Sequence, residues 1–78
     1  MRYIRGLNLL GENTMEISEK IREIRTQLKL SQEELAAKVG VHQRAISNYE
    51  IGLRVPRYNI LLRILAFAQQ NGINMPLV

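Results

Sequence analysis

The chain has 78 residues, no cysteine, and 11 lysines and arginines against 7 acids. That length holds one small domain and no second core, and the missing cysteine excludes both disulfides and thiolate zinc sites. No run approaches the ~18 apolar residues of a membrane span, and Gly6 to Leu10 is too short and interrupted for a signal-peptide core, so a soluble, cytoplasmic protein without a membrane partner is expected.

Residues 1–14 alternate loosely at Tyr3-Ile4-Arg5 and Leu7-Asn8-Leu9 and read as an N-terminal arm or tail, with turn-like residues from Gly11 to Thr14. A helix is expected from about Met15 to Lys29, with Asn13 or Thr14 as its cap. Ile17, Ile21, Ile24 and Leu28 recur at spacings of four, three and four, which is a buried stripe. Glu16, Glu19, Lys20, Arg22 and Glu23 fall on the other, solvated face, where Glu16 and Lys20 form a favourable i,i+4 pair.

The stretch SQEELAAKVGVHQRAISNYEIG, residues 31–52, reads as two short helices joined by a tight turn. Ser31 with Glu34 three residues on is a capping box, in which each side chain satisfies the other's free backbone N–H. Leu30 before the cap and Leu35 after it are placed as a hydrophobic staple, and Leu35, Ala36 and Val39 give the helix one apolar face. Gly40 ends it, because glycine takes positive φ without a Cβ penalty.

The next helix begins near His42 and Gln43 and closes at Gly52. Its apolar residues Ala45, Ile46 and Tyr49 share one face, and Gln43, Arg44, Ser47 and Asn48 share the other. That polar set consists of side chains that read base edges: arginine for guanine, glutamine and asparagine for adenine, serine for either. After the connector Leu53-Arg54-Val55-Pro56, a last helix runs from Arg57 or Tyr58 to Gln70. It buries Ile60, Leu61, Ile64, Leu65 and Ala68, with Phe67 extending that face. Leu62 and Phe67 are candidates for apolar surface left to a partner. Residues 73–78 form a C-terminal tail or short strand, which Pro76 restricts to an edge or an end.

Charge divides unevenly along this order. Six of the seven acids precede Leu35, whereas beyond it Lys38, Arg44, Arg54, Arg57 and Arg63 face Glu50 alone. The half that holds the polar reading face is the basic half, as a phosphate-facing surface requires.

SQEELAAKVGV, then ISNYE, then a glycine and a proline, resembles the phage-repressor and Cro-type helix-turn-helix family, the XRE-like group, over roughly Ile17 to Ala68. The resemblance implies an all-α, compact bundle of four or five helices of the lambda-repressor-like type, with the helix-turn-helix domain spanning residues 15–72. It implies that Gln32 anchors a DNA phosphate and that Arg54 and Arg57 grip the backbone. It also implies that Arg25 pairs with Glu50 to fix the orientation of the reading helix, while lending charge to a phosphate. His42 departs from the family's usual serine or threonine cap, and is expected to touch a phosphate or a base at the groove edge.

The function expected is that of a sequence-specific regulator of transcription, a repressor that binds double-stranded DNA as a homodimer and works at the nucleoid. An antitoxin that binds both DNA and a toxin protein is the alternative, because the apolar, strand-like ends leave room for a second partner. No catalytic residues, metal or cofactor are implied. One histidine, no cysteine and no phosphate-binding glycine loop offer nothing for an enzyme to use.

Overall fold

A computed structural model describes the backbone of residues 13–73 and the side chains of residues 17–73. The described chain is all-helical, with four helices in the order α1 (Asn13–Gln27), α2 (Gln32–Val39), α3 (Gln43–Glu50) and α4 (Tyr58–Gln70). Apart from residues 13, 14 and 73, the expected N-terminal arm and C-terminal tail lie outside the described residues. No strand or fifth helix occurs among the described residues.

The core is built from the apolar stripes. Ile21 and Ile24 of α1, Leu35, Ala36 and Val39 of α2, Ile46 of α3, and Ile64 and Ala68 of α4 are buried together. Each buried isoleucine or leucine contributes roughly 1.5–3 kcal/mol against its exposed state. Ile17, Leu28, Leu30, Val41, Tyr49, Ile60, Phe67 and Ile73 pack around this centre. The α4 stripe is narrower than its periodicity suggests, since Ile60, Leu61 and Leu65 are only half-buried. Phe67 packs on the core and is not left over, whereas Leu62 is exposed.

Local chemistry sets where each helix stops. At α2 the capping box forms as spaced: Glu34 N–H donates to Ser31 Oγ at 3.0 Å, and Ser31 N–H to Glu34 Oε1 at 2.8 Å. Gly40 ends α2 in the left-handed region at φ 77°. There the Val41 N–H reaches back to the Ala36 carbonyl at 3.0 Å, which satisfies one of the helix's orphan acceptors. Arg63 of α4 donates to the neighbouring Val39 carbonyl at 3.3 Å, so α4 helps to close α2.

The end of α1 differs from the sequence expectation, which carried the helix to Lys29. The helix stops at Gln27 because Lys29 itself turns left-handed, at φ 57°. Leu30 N–H then bonds the Arg25 carbonyl, and Lys29 N–H the Thr26 carbonyl, each at 3.0 Å. This is the same closing motif with a lysine where glycine is usual. Helix α1 also starts two residues earlier than Met15, so Asn13 and Thr14 belong to its first turn.

Candidate nucleic-acid interface

Helix α3 is held by two residues of its inner face. Ile46 is fully buried and Glu50 is 4% exposed, one turn apart. Tyr49 packs against the core beside Ile46, as its spacing implies, and Ala45 is half-buried. Glu50 is drawn inward with them, so that Gln43 and Arg44 are the exposed side chains of the helix, while Ser47 and Asn48 are half-buried.

His42 occupies the N-cap in extended conformation (φ −82°, ψ 153°), and its ring makes no capping hydrogen bond. Its carbonyl accepts from Ala45 N–H at 3.0 Å and starts the helix. At the other end Gly52 N–H bonds the Tyr49 carbonyl, and Leu53 and Arg54 N–H both reach the Asn48 carbonyl. Those bonds fold the connector back over the end of α3, which brings Arg54 beside the helix.

The result is an open concavity of about 620 Å³ lined by His42, Gln43, Arg44, Ala45, Asn48, Tyr49 and Arg54. It contains two arginines and no acid. Of the expected base-reading set it gathers Gln43, Arg44 and Asn48. Ser47 lies outside it, half-buried on the flank of α3. Arg57 is exposed at the N-cap of α4, where no side chain caps the free N–H groups.

Behind α3 lies an ionic cluster centred on Glu50. Arg25 Nε donates to Oε2 at 2.6 Å, Arg25 Nη2 to Oε1 at 3.0 Å, and Gln32 Nε2 to Oε1 at 3.1 Å. Arg22 Nη2 donates to the Glu50 carbonyl at 3.0 Å, and its Nε lies 3.7 Å from Oε1. Arg25 Nη1 further donates to the Leu30 carbonyl at 3.0 Å. One carboxylate therefore ties α1, α2 and α3 together.

Burial by itself would push the Glu50 carboxyl up. Hydrogen bonds from Arg25 and Gln32, with the charges of Arg25 and Arg22, outweigh it and hold the pKa below the ordinary carboxylate value. The hydrogen bond to Glu50 correspondingly raises Arg25, against a smaller opposing effect of burial. Gln32, expected at a phosphate, has one amide N–H committed to Glu50. The second N–H of the amide is the donor that it retains for an anion. Much of the Arg25 guanidinium is likewise committed, to Glu50 and to Leu30.

Sequence reasoning placed Arg22 on a solvated face and gave Arg63 no role beyond charge. Both contacts join residues far apart in the chain, so no helical spacing signals them. The preference of cations for helix C-termini is the physical hint, since Arg22 meets the end of α3 and Arg63 the end of α2. Among the described residues no group of side chains could hold a metal ion, and no helix is long and apolar enough to cross a membrane.

A family model described as helix-turn-helix matches residues 21–69, more than half of the chain. A curated relative from Bacillus subtilis (strain 168), described as the uncharacterized HTH-type transcriptional regulator YqaE, is 40% identical over 47 residues. That match covers 60% of this chain and 40% of the relative, so the chain spans well under half of the relative's length. No solved structure matches the chain.

Proposed function

From the premise that this chain belongs to the XRE-like helix-turn-helix family, we propose that it is a sequence-specific, double-stranded-DNA-binding regulator of transcription. In this reading it is a repressor that occupies a two-fold operator as a homodimer, with residues 15–72 as the binding domain. The observation that carries the reading is the outer face of α3. A short helix anchored from behind by Ile46 and Glu50 presents an acid-free concavity lined by His42, Gln43, Arg44, Asn48 and Arg54. A B-DNA major groove, about 12 Å wide, admits such a helix.

Arg44 makes a bidentate contact to guanine, Gln43 or Asn48 reads adenine, and Ser47 contacts a base from the flank. Gln32, at the start of α2, donates its free amide N–H to a phosphate, where outward-pointing backbone N–H groups also favour an anion. Arg54, Arg57 and His42 contact the DNA backbone and Arg25 adds charge on that side, which supplies affinity without sequence information. Glu50 would repel phosphate if exposed. Buried and paired, it orients Gln32 and α3 instead.

Selection from randomised duplex DNA with the purified chain, at near-physiological salt, tests the reading. Two inverted half-sites about 34 Å apart, one helical turn, are expected. Recovery of no preferred sequence would remove the assignment of α3 as a specific reader.

A further inference from the structure

We propose that Ala45 and Tyr49 form an apolar seat on α3 for the 5-methyl group of a pyrimidine, carried by thymine or by 5-methylcytosine. The inference rests on the reading of α3 as a major-groove helix and adds a specificity determinant that is not a hydrogen bond. Both residues line the concavity, among polar side chains that include Arg44 and Asn48. Ala45 and Tyr49 are four residues apart and adjoin along one row of the helix, while Arg44 and Asn48 form the row beside it. An apolar strip therefore runs next to the strip that carries the hydrogen-bonding groups.

Burial fixes this strip in place. Tyr49 packs against the core cluster and is half-buried, so its ring cannot swing aside without giving up that contact. Ala45 is half-buried and has no rotamer to choose. Seating a ligand group against this pair costs almost no side-chain entropy, unlike fixing the exposed Arg44. The chemistry of the groove then selects the ligand. Base edges offer donors and acceptors there, and the apolar group they present is the C5-methyl of thymine. Cytosine carries hydrogen on the same carbon, and methylation of that carbon makes the two bases alike at this point. A carbonyl or amino group pressed against Ala45 loses water without gaining a partner. A methyl group gains by leaving water. Because the two rows adjoin, the seat faces the base pair that Arg44 reads or the one next to it.

Replacing each thymine of the selected operator by deoxyuridine, one at a time, removes a methyl group and keeps every hydrogen-bonding atom. One thymine in each half-site, within one base pair of the position that Arg44→Ala relaxes, should then cost about fourfold in affinity, the scale of one buried methyl group. A cytosine–guanine pair placed at that position separates the two sources of the methyl. The duplex with 5-methylcytosine there should bind about fourfold tighter than its unmethylated twin.

Two variants test whether Ala45 is part of the seat. Ala45→Gly removes its methyl group, and Ala45→Ser sets a hydroxyl against the ligand. In both, the ratio of affinities for the thymine and deoxyuridine duplexes should shrink toward one. That ratio is read within a single protein, so a lower folded fraction of Ala45→Gly cancels. The proposal is overturned if no thymine responds to the exchange, if methylated and unmethylated cytosine bind alike, or if the ratio is unchanged in both variants. If selection returns no preferred sequence, the operator reading fails by itself. Equal binding of one random duplex pool made with thymine and again with deoxyuridine would then overturn the seat as well.

Discussion

Arg44 and Arg54 lie in the same concavity and are expected to do different work. Arg44→Ala should weaken binding to the preferred site by about 1–3 kcal/mol and relax one position of it. Arg54→Ala should weaken binding to every sequence and reduce the slope of log K against log salt by about 0.9. Titrations on specific and scrambled duplexes at several salt concentrations separate the two effects; equal losses on both duplexes for Arg44→Ala would reassign it to the backbone. Lys29 offers a test without DNA. It holds the left-handed conformation at φ 57°, which costs an L-residue roughly 1–2 kcal/mol. Lys29→Gly should recover much of that, and denaturant unfolding should show a higher midpoint with an unchanged m-value.

At the scale of elements, most of the fold was legible in the chain. The spacing of Ile17, Ile21, Ile24 and Leu28 placed α1, the Ser31–Glu34 box opened α2, and Gly40 closed it. These signals are local, each readable within one turn or one heptad. What was not legible depended on partners distant in sequence. Tyr49 packs against the core as its spacing implies, and the Arg25–Glu50 pair that the resemblance implies is present, but the further contacts of Arg22 and Gln32 with Glu50 had no signal in helical spacing. The end of α1 was misplaced because a lysine does not announce a left-handed turn. Arg63 gave no sign that it closes α2, since the carbonyl it meets belongs to another helix. The polar outer face of α3 was readable as chemistry, but not that Ser47 lies outside the concavity that Gln43, Arg44 and Asn48 line.

For the whole molecule the Glu50 cluster couples stability to pH. Its carboxyl titrates lower in the folded chain than in the unfolded chain. The stabilisation is therefore complete above the ordinary carboxylate value of about 4.3, and is lost as pH falls through the lower folded value. The melting temperature should hold through neutral pH and drop steeply in acid, and Glu50→Gln should flatten that acid limb. The variant also weakens the charge-assisted hydrogen bonds from the partly exposed Arg25, so it should lose on the order of 1–3 kcal/mol at neutral pH. An acid limb unchanged in Glu50→Gln would assign the sensitivity to other carboxylates.

The anchoring of α3 through Ile46 and Glu50 has a consequence for how such a protein diversifies. Neither anchor lies on the face proposed to meet a base, and Gln43 and Arg44 on that face are exposed. Exchanges there leave the attachment untouched, and exposed substitutions away from such anchors usually shift stability by no more than about 0.5 kcal/mol. On the proposed function, retargeting to a new operator is thus separable from folding: one scaffold can be given successive reading faces, each adjusted by a few outward side chains, without re-solving how the helix is held.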